Sequence, residues 1–552
     1  MKRDLERMAR EEFDLLVIGG GVYGAAVAWD AALRGLSVAL MEKDDFAGAT
    51  SSNSLKVVHG GLRYLQDGNL PRMRTMVRER RALLRIAPHL VRPLPFLLPT
   101  YGKGLRSRTA LRVAMLANEW IGYDRNRALA PDRSLAGSRL ASREEFARQL
   151  PAIAAEGGVS GAAVWFDAQI ANTERLVISF LKSADQRGAA LANYLSAARL
   201  LVNGQRVIGA RGRDQLSGEQ LDVLAKVTVN AAGPWVDAVL ACLSGAKARP
   251  IFRPSLAWNV VTRQVVPGIA VGVPAPPSSG AASLNGKSSS TIFVIPWKTK
   301  SLIGTLHSTY EGGPEEIRVP LDLVSRLLER VNHAFPGIDL SPADVSLVHR
   351  GLLPTTSFGR RPVDLMREGW MVDHQRTDGF DGLLTIVGVK MTACRDLAQK
   401  AVDVVFAKLG RVAPACQTES TPLVGAEVQP QDLPTDEYGR APDPSGPEAE
   451  LRRTFGAEYG AVLECLRPGS DPGDQSSLLE AQAAFAARSE MAQRLSDVVL
   501  RRTEVGVAGR PSDDLLARLA AILAVELGWD APRVEQEIAM TRDDYAGRTL
   551  SG

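Results

Sequence analysis

The stretch Asp14–Gly24 reads DLLVIGGGVYG, and its reading decides the fold. The first half is an unbroken run of Leu, Val and Ile, which suits a strand buried on both faces of a parallel sheet. The run passes into Gly19, Gly21 and Gly24, spaced G-x-G-x-x-G. The helical AAVAWDAALRGL follows, and then a second strand, SVALME, that ends on Glu42. Strand, glycine turn, helix, strand and acid in this order form a βαβ unit with a dinucleotide fingerprint; the glycine pattern alone has many plainer uses. Gly19 permits the tight turn, Gly21 lets the backbone approach a pyrophosphate, and Gly24 lets the helix pack closely on the strand. The first helical turn offers N–H donors to anionic oxygens. Glu42 is placed to accept hydrogen bonds from a ribose.

Bulk properties narrow the function. With 552 residues, 45% of them apolar, the chain has material for two or three domains. Its net charge of +4 is spread without a long basic block, which argues against a nucleic-acid binder. Cys242, Cys394, Cys416 and Cys465 have neither CxxC nor zinc spacing, so no metal site is expected and a reducing compartment is. MKRDLERMAREEF is too charged for a signal peptide. No apolar run approaches the ~18 residues of a membrane span. A cytoplasmic protein, soluble or resting on a surface, is expected.

Three further stretches invite a ligand. KVTVNAAGPWVD ends its strand on small residues, Asn230 to Gly233, where backbone can come close to something flat or anionic. LLTIV leads into Gly388, Val389 and Lys390 at the start of another helix, a place that stabilises negative charge. Thr50–Leu65, TSSNSLKVVHGGLRYL, runs from small hydroxyls to His59, Gly60, Gly61, Arg63 and Tyr64. The dinucleotide could be NAD or FAD; the fingerprint's place at the extreme N-terminus favours FAD.

These residues resemble the flavin-dependent glycerol-3-phosphate dehydrogenases and, more distantly, the amino-acid-oxidase-like flavoproteins. The likeness runs in order through Gly19–Leu65, WFDAQIANTERLV, VNAAGPWVD, FVIPWKTKSLIGT, LLTIVGVKMTACRDLAQKAVD and MAQRLSDVVLRRTEVG. It implies an α/β fold: an FAD-binding Rossmann-like domain of the glutathione-reductase/amino-acid-oxidase type, a β-sheet substrate domain and a C-terminal helical domain. Residues 1–95, 150–248 and 379–410 are read as the FAD-binding domain and 249–378 as the substrate domain. Residues 96–149 are read as a basic amphipathic insertion, 411–447 as a Pro- and Gly-rich linker, and 448–552 as the helical domain.

The resemblance also assigns roles. Thr50, Ser51 and Ser52 would serve the pyrophosphate or the ring edge, His59 would lie near the flavin, and Gly60, Gly61, Gly233 and Gly388 would leave it room. Arg63 and Tyr64 would hold a substrate phosphate, as a guanidinium and a phenol can. Lys390 would enter the substrate pocket, and His374 matches a family histidine. His59 and His307 are the candidate bases, since imidazole titrates near neutral pH.

The substrate side departs from the family. Leu353 stands where an arginine is usual, His307 where an acid is, and Trp258 and Asn259 where a histidine is expected. Arg350, Arg360 and Arg361 lie nearby in sequence. A lost charged contact removes about 1.5–3 kcal/mol, so these changes point to a bulkier or less charged alcohol or an amine, or equally to a homologue with weak activity. The reaction expected is hydride transfer from a secondary alcohol, a polyol phosphate or a relative of one, to flavin N5. Quinone is the implied acceptor, and a homodimer is the expected assembly. An amine or amino-acid oxidase and a flavin-binding protein without turnover are the rival readings. The basic segment Leu94–Gly122, with Lys103, Arg106, Arg108, Arg112 and Trp120, suits the surface of the inner face of the cytoplasmic membrane, or else a helix packed on the core.

Overall fold

The computed structural model of the chain describes residues 1–102, 104–155, 158–243, 250–274, 291–356, 365–426 and 446–550. In chain order the strands are β1 (Glu12–Ile18), β2 (Val38–Met41), β3 (Val57–Val58), β4 (Val91–Tyr101), β5 (Arg139–Ala141), β6 (Val159–Ile170), β7 (Ala190–Ala192) and β8 (Leu195–Asn203). They continue as β9 (Arg206–Asp214), β10 (Gln220–Asn230), β11 (Pro254–Arg263), β12 (Ala270–Pro274), β13 (Thr291–Trp297), β14 (Lys300–Thr309), β15 (Val345–Pro354), β16 (Trp370–Asp373) and β17 (Leu383–Val387). The helices that matter most follow early: a short α1 (Leu5–Arg10), α2 (Val22–Leu33), α3 (Leu70–Ile86) and α4 (Arg108–Ile121).

The first sheet has the order β16-β17-β10-β1-β2-β7, with β9 also on β10 and β8 on β9. The ladders joining β17, β10, β1, β2 and β7 are parallel. As the apolar run in β1 requires, Phe13 to Ile18 are all buried. Ten of the twelve residues of helix α2 are buried, among them all of its alanines and valines, and its Trp29 meets Phe180 with ring centroids 5.4 Å apart. Gly24 is what lets α2 lie so close, because a Cβ there would stand 1.9 Å from the carbonyl oxygen of Gly19. Gly19 itself has φ +111°, a conformation that side-chained residues avoid.

The second sheet has the order β15-β11-β14-β13-β12-β4-β6-β3, with β5 on β6. Here the expected boundaries need correction. β4 belongs to this sheet and not to an insertion: it pairs with β6 along nearly its whole length. β6 and β3, expected in the FAD-binding domain, join the same sheet. Buried Leu94 and Phe96 on β4 face the same cluster as Ala163 and Trp165 on β6, so two apolar strands satisfy each other's backbone. Helix α4, after β4, has the amphipathic character expected of the insertion.

The expected linker is only partly one. Residues 427–445 lie outside the described residues, but 411–426 are docked. Thr418 and Leu423 are buried, and the Leu423 N–H donates to the Ile86 carbonyl at 2.9 Å. Beyond it the C-terminal helices, including Gln475–Ser489, Asp513–Leu527 and Ala531–Ala546, share a core with one face of the second sheet. A buried ion network ties them to the first. The chain widens into a π-helical turn at Val498–Arg502 that turns Arg501 and Arg502 inward. Asp45 accepts from Arg501 Nε at 2.5 Å and from both terminal nitrogens of Arg502 at 2.7 and 2.8 Å. Glu490 receives Arg175 at 2.6 and 2.8 Å.

Candidate functional site

A cavity of about 1170 Å³ runs between the carboxyl ends of the parallel strands and one face of the second sheet. Its first limb is built by the fingerprint. Gly19, Gly21 and Val22 line it at the open N-terminus of α2, and Glu42 lines it at the end of β2. Glu42 Oε2 accepts the Gly20 N–H at 2.6 Å and Oε1 accepts the Asp44 N–H at 3.0 Å. Ser51 Oγ accepts the Val22 N–H at 3.0 Å, which sets a hydroxyl at the helix start. Thr50 Oγ1 is buried without a hydrogen-bond partner, against Gly351. Gly233 lines the same limb, where Lys43, 4.5 Å over the Trp235 ring, and Glu315, which accepts from Trp235 Nε1 at 2.6 Å, bridge its outer end. A backbone cradle free of side chains, an orphaned hydroxyl and a carboxylate at ribose reach fit a dinucleotide. Ser52 does not share this wall. Its hydroxyl donates to the Ala49 carbonyl at 2.9 Å and it is buried away from the cavity.

Burial raises Glu42 to about 7, against the pull of its two backbone hydrogen bonds. An ionised carboxylate accepts from two ribose hydroxyls better than a protonated one, so on the assignment of Glu42 to the ribose FAD binding is coupled to loss of the proton that Glu42 carries below pH 7. Affinity for FAD, followed by quenching of flavin fluorescence, is expected to fall about tenfold per pH unit below 7 and to level off above it. In the apoprotein the sign is opposite. The stability that goes with the raised value is complete below the ordinary carboxylate range and is lost as pH rises through 7. A Glu42→Gln variant with the same slope would overturn the assignment.

The second limb is built around Lys390. Tyr23, in the first turn of α2, donates to the Lys390 carbonyl at 2.6 Å and accepts the Val389 and Lys390 N–H groups at 3.3 and 3.2 Å. Its ring lies on Gly388, where no Cβ would fit. Lys390 Nζ donates to Tyr64 Oη at 2.5 Å, and Tyr64 donates to the Arg367 carbonyl at 3.2 Å. Burial, with Arg72 and Arg63 nearby, lowers the Lys390 ammonium against the counter-pull of Tyr64. Burial followed by Lys390, Arg80 and Arg72 pushes the His59 imidazole down to about 3. It is therefore neutral.

Asp167 fixes this loop from below. Its Oδ1 accepts the Gly60 N–H at 2.5 Å and binds Arg80, and its Oδ2 accepts Trp165 Nε1 at 3.1 Å. Gly60 thus makes room for Arg80, whose guanidinium would be 2.5 Å from a Cβ there; it does not border the cavity. Gly61 and His59 do.

The second sheet closes the limb. Ala257 on β11 pairs with His307 on one side and with Gly351 on the other, and Ser255 pairs with Leu353. Alternation along the strands puts Ala257, Gly351, Leu353 and His307 on the cavity face. By the same rule Trp258 points away and is fully buried, which corrects the expectation that it shapes the pocket. Asn259 takes its place, accepting from Thr305 Oγ1 at 2.7 Å. Burial and then Arg63 lower His307 to about 4.

One more assignment is corrected. His374 is structural, because Nδ1 is bonded to Asp378 at 2.6 Å and Nε2 to Thr385 at 2.8 Å, beneath the first sheet. Arg350 borders the cavity, where it donates to the Gly547 carbonyl at the end of the last helix with Arg548 and Arg318 as charged neighbours. Arg360 and Arg361 lie outside the described residues. The arginine that does stand beside Arg63 is Arg367, ion-paired with Asp67 and lining the cavity. No motif marks Arg367, Tyr23 or Asp167 in this role; only the chain path gathers them.

Comparison with known proteins agrees with this architecture. Residues 14–383 match the family model described as FAD dependent oxidoreductase, and residues 416–534 match the C-terminal domain of alpha-glycerophosphate oxidase. The chain is 33% identical over 548 residues to a glycerol-3-phosphate dehydrogenase of Synechocystis, covering 97% of each chain. It is 29% identical to the mitochondrial glycerol-3-phosphate dehydrogenase SDP6 of Arabidopsis thaliana, over 97% of this chain and 86% of that one. Among solved structures, the glycerol-3-phosphate dehydrogenase from Bacillus halodurans complexed with FAD superposes with a TM-score of 0.74, at 22% identity and over 99% and 97% of the two chains.

Proposed function

Since the chain belongs to the FAD-dependent oxidoreductase family, in its glycerol-3-phosphate dehydrogenase branch, we propose that it oxidises glycerol 3-phosphate at the secondary carbinol. The observation that carries this reading is the convergence of Arg63, Arg367, Lys390 and Tyr64 on one end of the cavity, beside two neutral imidazoles. Leu353 removes a charge from the sheet wall, while Arg367, paired with Asp67, stands beside Arg63 at the same cavity. A phosphate dianion therefore suits the site better than the less charged alcohol or amine that the sequence departures suggest.

Bound FAD supplies the acceptor, at N5, for the carbinol hydride. The chain supplies the rest. Arg63 and Arg367 bind the phosphate through charge-assisted hydrogen bonds. Lys390 and Tyr64 orient the glycerol hydroxyls. His59 accepts the hydroxyl proton; burial first and then Lys390 and the arginines hold it low, and a bound dianion offsets the second of these causes. Anaerobic mixing with glycerol 3-phosphate, glycerol and a panel of amines tests the reading. The flavin band at about 450 nm should bleach with the phosphate ester alone. No bleaching by it, or bleaching by an amine, would sink the proposal.

Reoxidation at a membrane surface by quinone is part of the same proposal. Among the described residues no helix is long and apolar enough to cross a membrane. Helix α4, however, exposes Val113, Leu116 and Trp120 on one face, continued by Tyr123, at 63%, 64%, 76% and 78%, with Arg112 beside them. Such a stripe supports interfacial contact with anionic lipid. Co-sedimentation with anionic vesicles should be lost in a Leu116→Ser, Trp120→Ser variant.

A further inference from the structure

One wall of the cavity is built by the end of the chain. Strand β15 is the last strand of the second sheet, so one of its edges has no neighbouring strand. The segment after the last helix, Ala531–Ala546, runs along that edge. There the Val348 N–H donates to the Arg548 carbonyl at 2.8 Å, and Arg350 donates to the Gly547 carbonyl. Buried Tyr545 anchors the helix end by donating to the Gly506 carbonyl at 2.7 Å. On this fixed backbone Arg548 lines the cavity, together with Arg350, Gly351 and Asn53. The wall borders the dinucleotide limb. The Arg350 N–H reaches Asn53 Oδ1 at 3.4 Å, and a Cβ on Gly351 would stand 3.1 Å from the orphaned Thr50 Oγ1. Ser51, the next residue, holds its hydroxyl at the open start of α2, the place where a dinucleotide lays its diphosphate.

A diphosphate brings two negative charges, and most cations of this limb are already engaged. Lys43 is paired with Asp44 at 2.7 Å, Lys56 with Glu174 at 3.0 Å, and Arg501 with Asp45 and Asp497 at 2.5 and 2.6 Å. Arg494 lies 4.9 Å over the Tyr194 ring. Arg548 differs: among the described residues its guanidinium makes no hydrogen bond and no ion pair. Burial first and then Arg501 disfavour its charge, and Asp544 and Glu174 offset them without touching it. A guanidinium set deep in a wall without a counter-charge is costly until an anion completes it. Its planar fork matches phosphate oxygens. We infer that Arg548 is a ligand of the FAD diphosphate, so that the C-terminal tail holds the cofactor together with the N-terminal fingerprint. Docking of the tail and binding of FAD then favour each other.

The test divides the cofactor into its parts. Apoprotein is titrated with FAD, with ADP, which keeps the diphosphate, and with riboflavin, which lacks it. Flavin fluorescence quenching follows FAD and riboflavin, and calorimetry follows ADP. Arg548→Met keeps the apolar stem and should weaken FAD and ADP about tenfold to a hundredfold while riboflavin stays within about twofold of wild type. Arg548→Lys, a point charge without the fork, should fall between the two, and it carries the test if the methionine variant does not fold. Unchanged affinity for FAD and ADP would overturn the assignment. So would a parallel loss of riboflavin affinity, which would mean a disturbed wall and not a lost phosphate ligand. A raised KM for glycerol 3-phosphate with FAD affinity intact would also overturn it, and would give Arg548 to the phosphate of the substrate instead.

Discussion

Replacing Lys390 by methionine is expected to lower kcat/KM for glycerol 3-phosphate by about a hundredfold to a thousandfold while FAD stays bound. Methionine keeps the apolar stem and removes only the ammonium. The backbone around Gly388–Lys390 is held by Tyr23 through three hydrogen bonds that do not involve the lysine side chain, so the cofactor wall should persist. What disappears is a buried donor on the anionic substrate and on charge developing beside it. Hydrogen bonds to charged groups contribute about 1.5–3 kcal/mol, and removal of a preorganised donor in an active site typically costs about 2.7–4 kcal/mol in the barrier. Either figure corresponds to at least one or two orders of magnitude in rate. A second readout distinguishes loss of the donor from mere disturbance. Burial lowers the ammonium, so the alkaline limb of the wild-type kcat/KM profile should begin below the ordinary lysine range, as the free enzyme loses that proton. The methionine variant should lack this limb. A loss of only a few fold, or a variant that purifies without flavin, would remove Lys390 from the proposed role.

The parts of this site legible in the sequence are those whose residues are neighbours in the chain. Gly19, Gly21, Gly24 and Glu42 lie within one βαβ unit, where local geometry dictates the residue types, so spacing alone places them. Tyr23 occupies a free position of the same motif, and nothing about that position announces that its phenol will clamp a segment 367 residues away. Asp167 and Arg367 are equally silent, because they meet the Thr50–Leu65 loop only through tertiary packing. Trp258 shows a subtler limit. Register is set to one residue in a strand, and a shift by one turns a pocket residue into a core residue. The family resemblance puts Trp258 and Asn259 at the right place, but only the pairing of β11 with β14 and β15 decides which faces the cavity. The misplaced boundary at residue 96 has a related cause: an apolar segment reads as strand or helix alike until its partner is known, and the partner of β4 is β6, more than sixty residues on.

The largest expected effect on stability belongs to Asp45, at the junction of the FAD-binding domain and the C-terminal helices. Asp45→Ala should destabilise the protein by about 3–5 kcal/mol, because it takes from buried Arg502 the carboxylate that receives both its terminal nitrogens and from Arg501 one of its two carboxylate partners. Arg502 is wholly buried and Arg501 nearly so; both donate to this carboxylate, as does Asn193 Nδ2 at 3.0 Å, and Arg501 donates to Asp497 as well, at 2.6 Å. Desolvation acts to raise Asp45, but Arg502 and Arg501 prevail and hold it at about 2. The sign of the pH dependence follows. The stability that this depressed value represents is present above the ordinary aspartate range and is lost as pH falls toward 2, so the alanine variant should show a shallower acid limb than wild type. A double variant, Asp45→Ala with Arg502→Met, discriminates between charge burial and lost packing. If the stranded cation is the main cost, the double variant should recover part of the Tm lost by the single one, since a buried pair can often be replaced by apolar groups with little penalty. A single variant that melts within a degree or two of wild type, or a double variant worse than the sum of its parts, would mean that the apolar core shared by the second sheet and the C-terminal helices holds the two units together without the network.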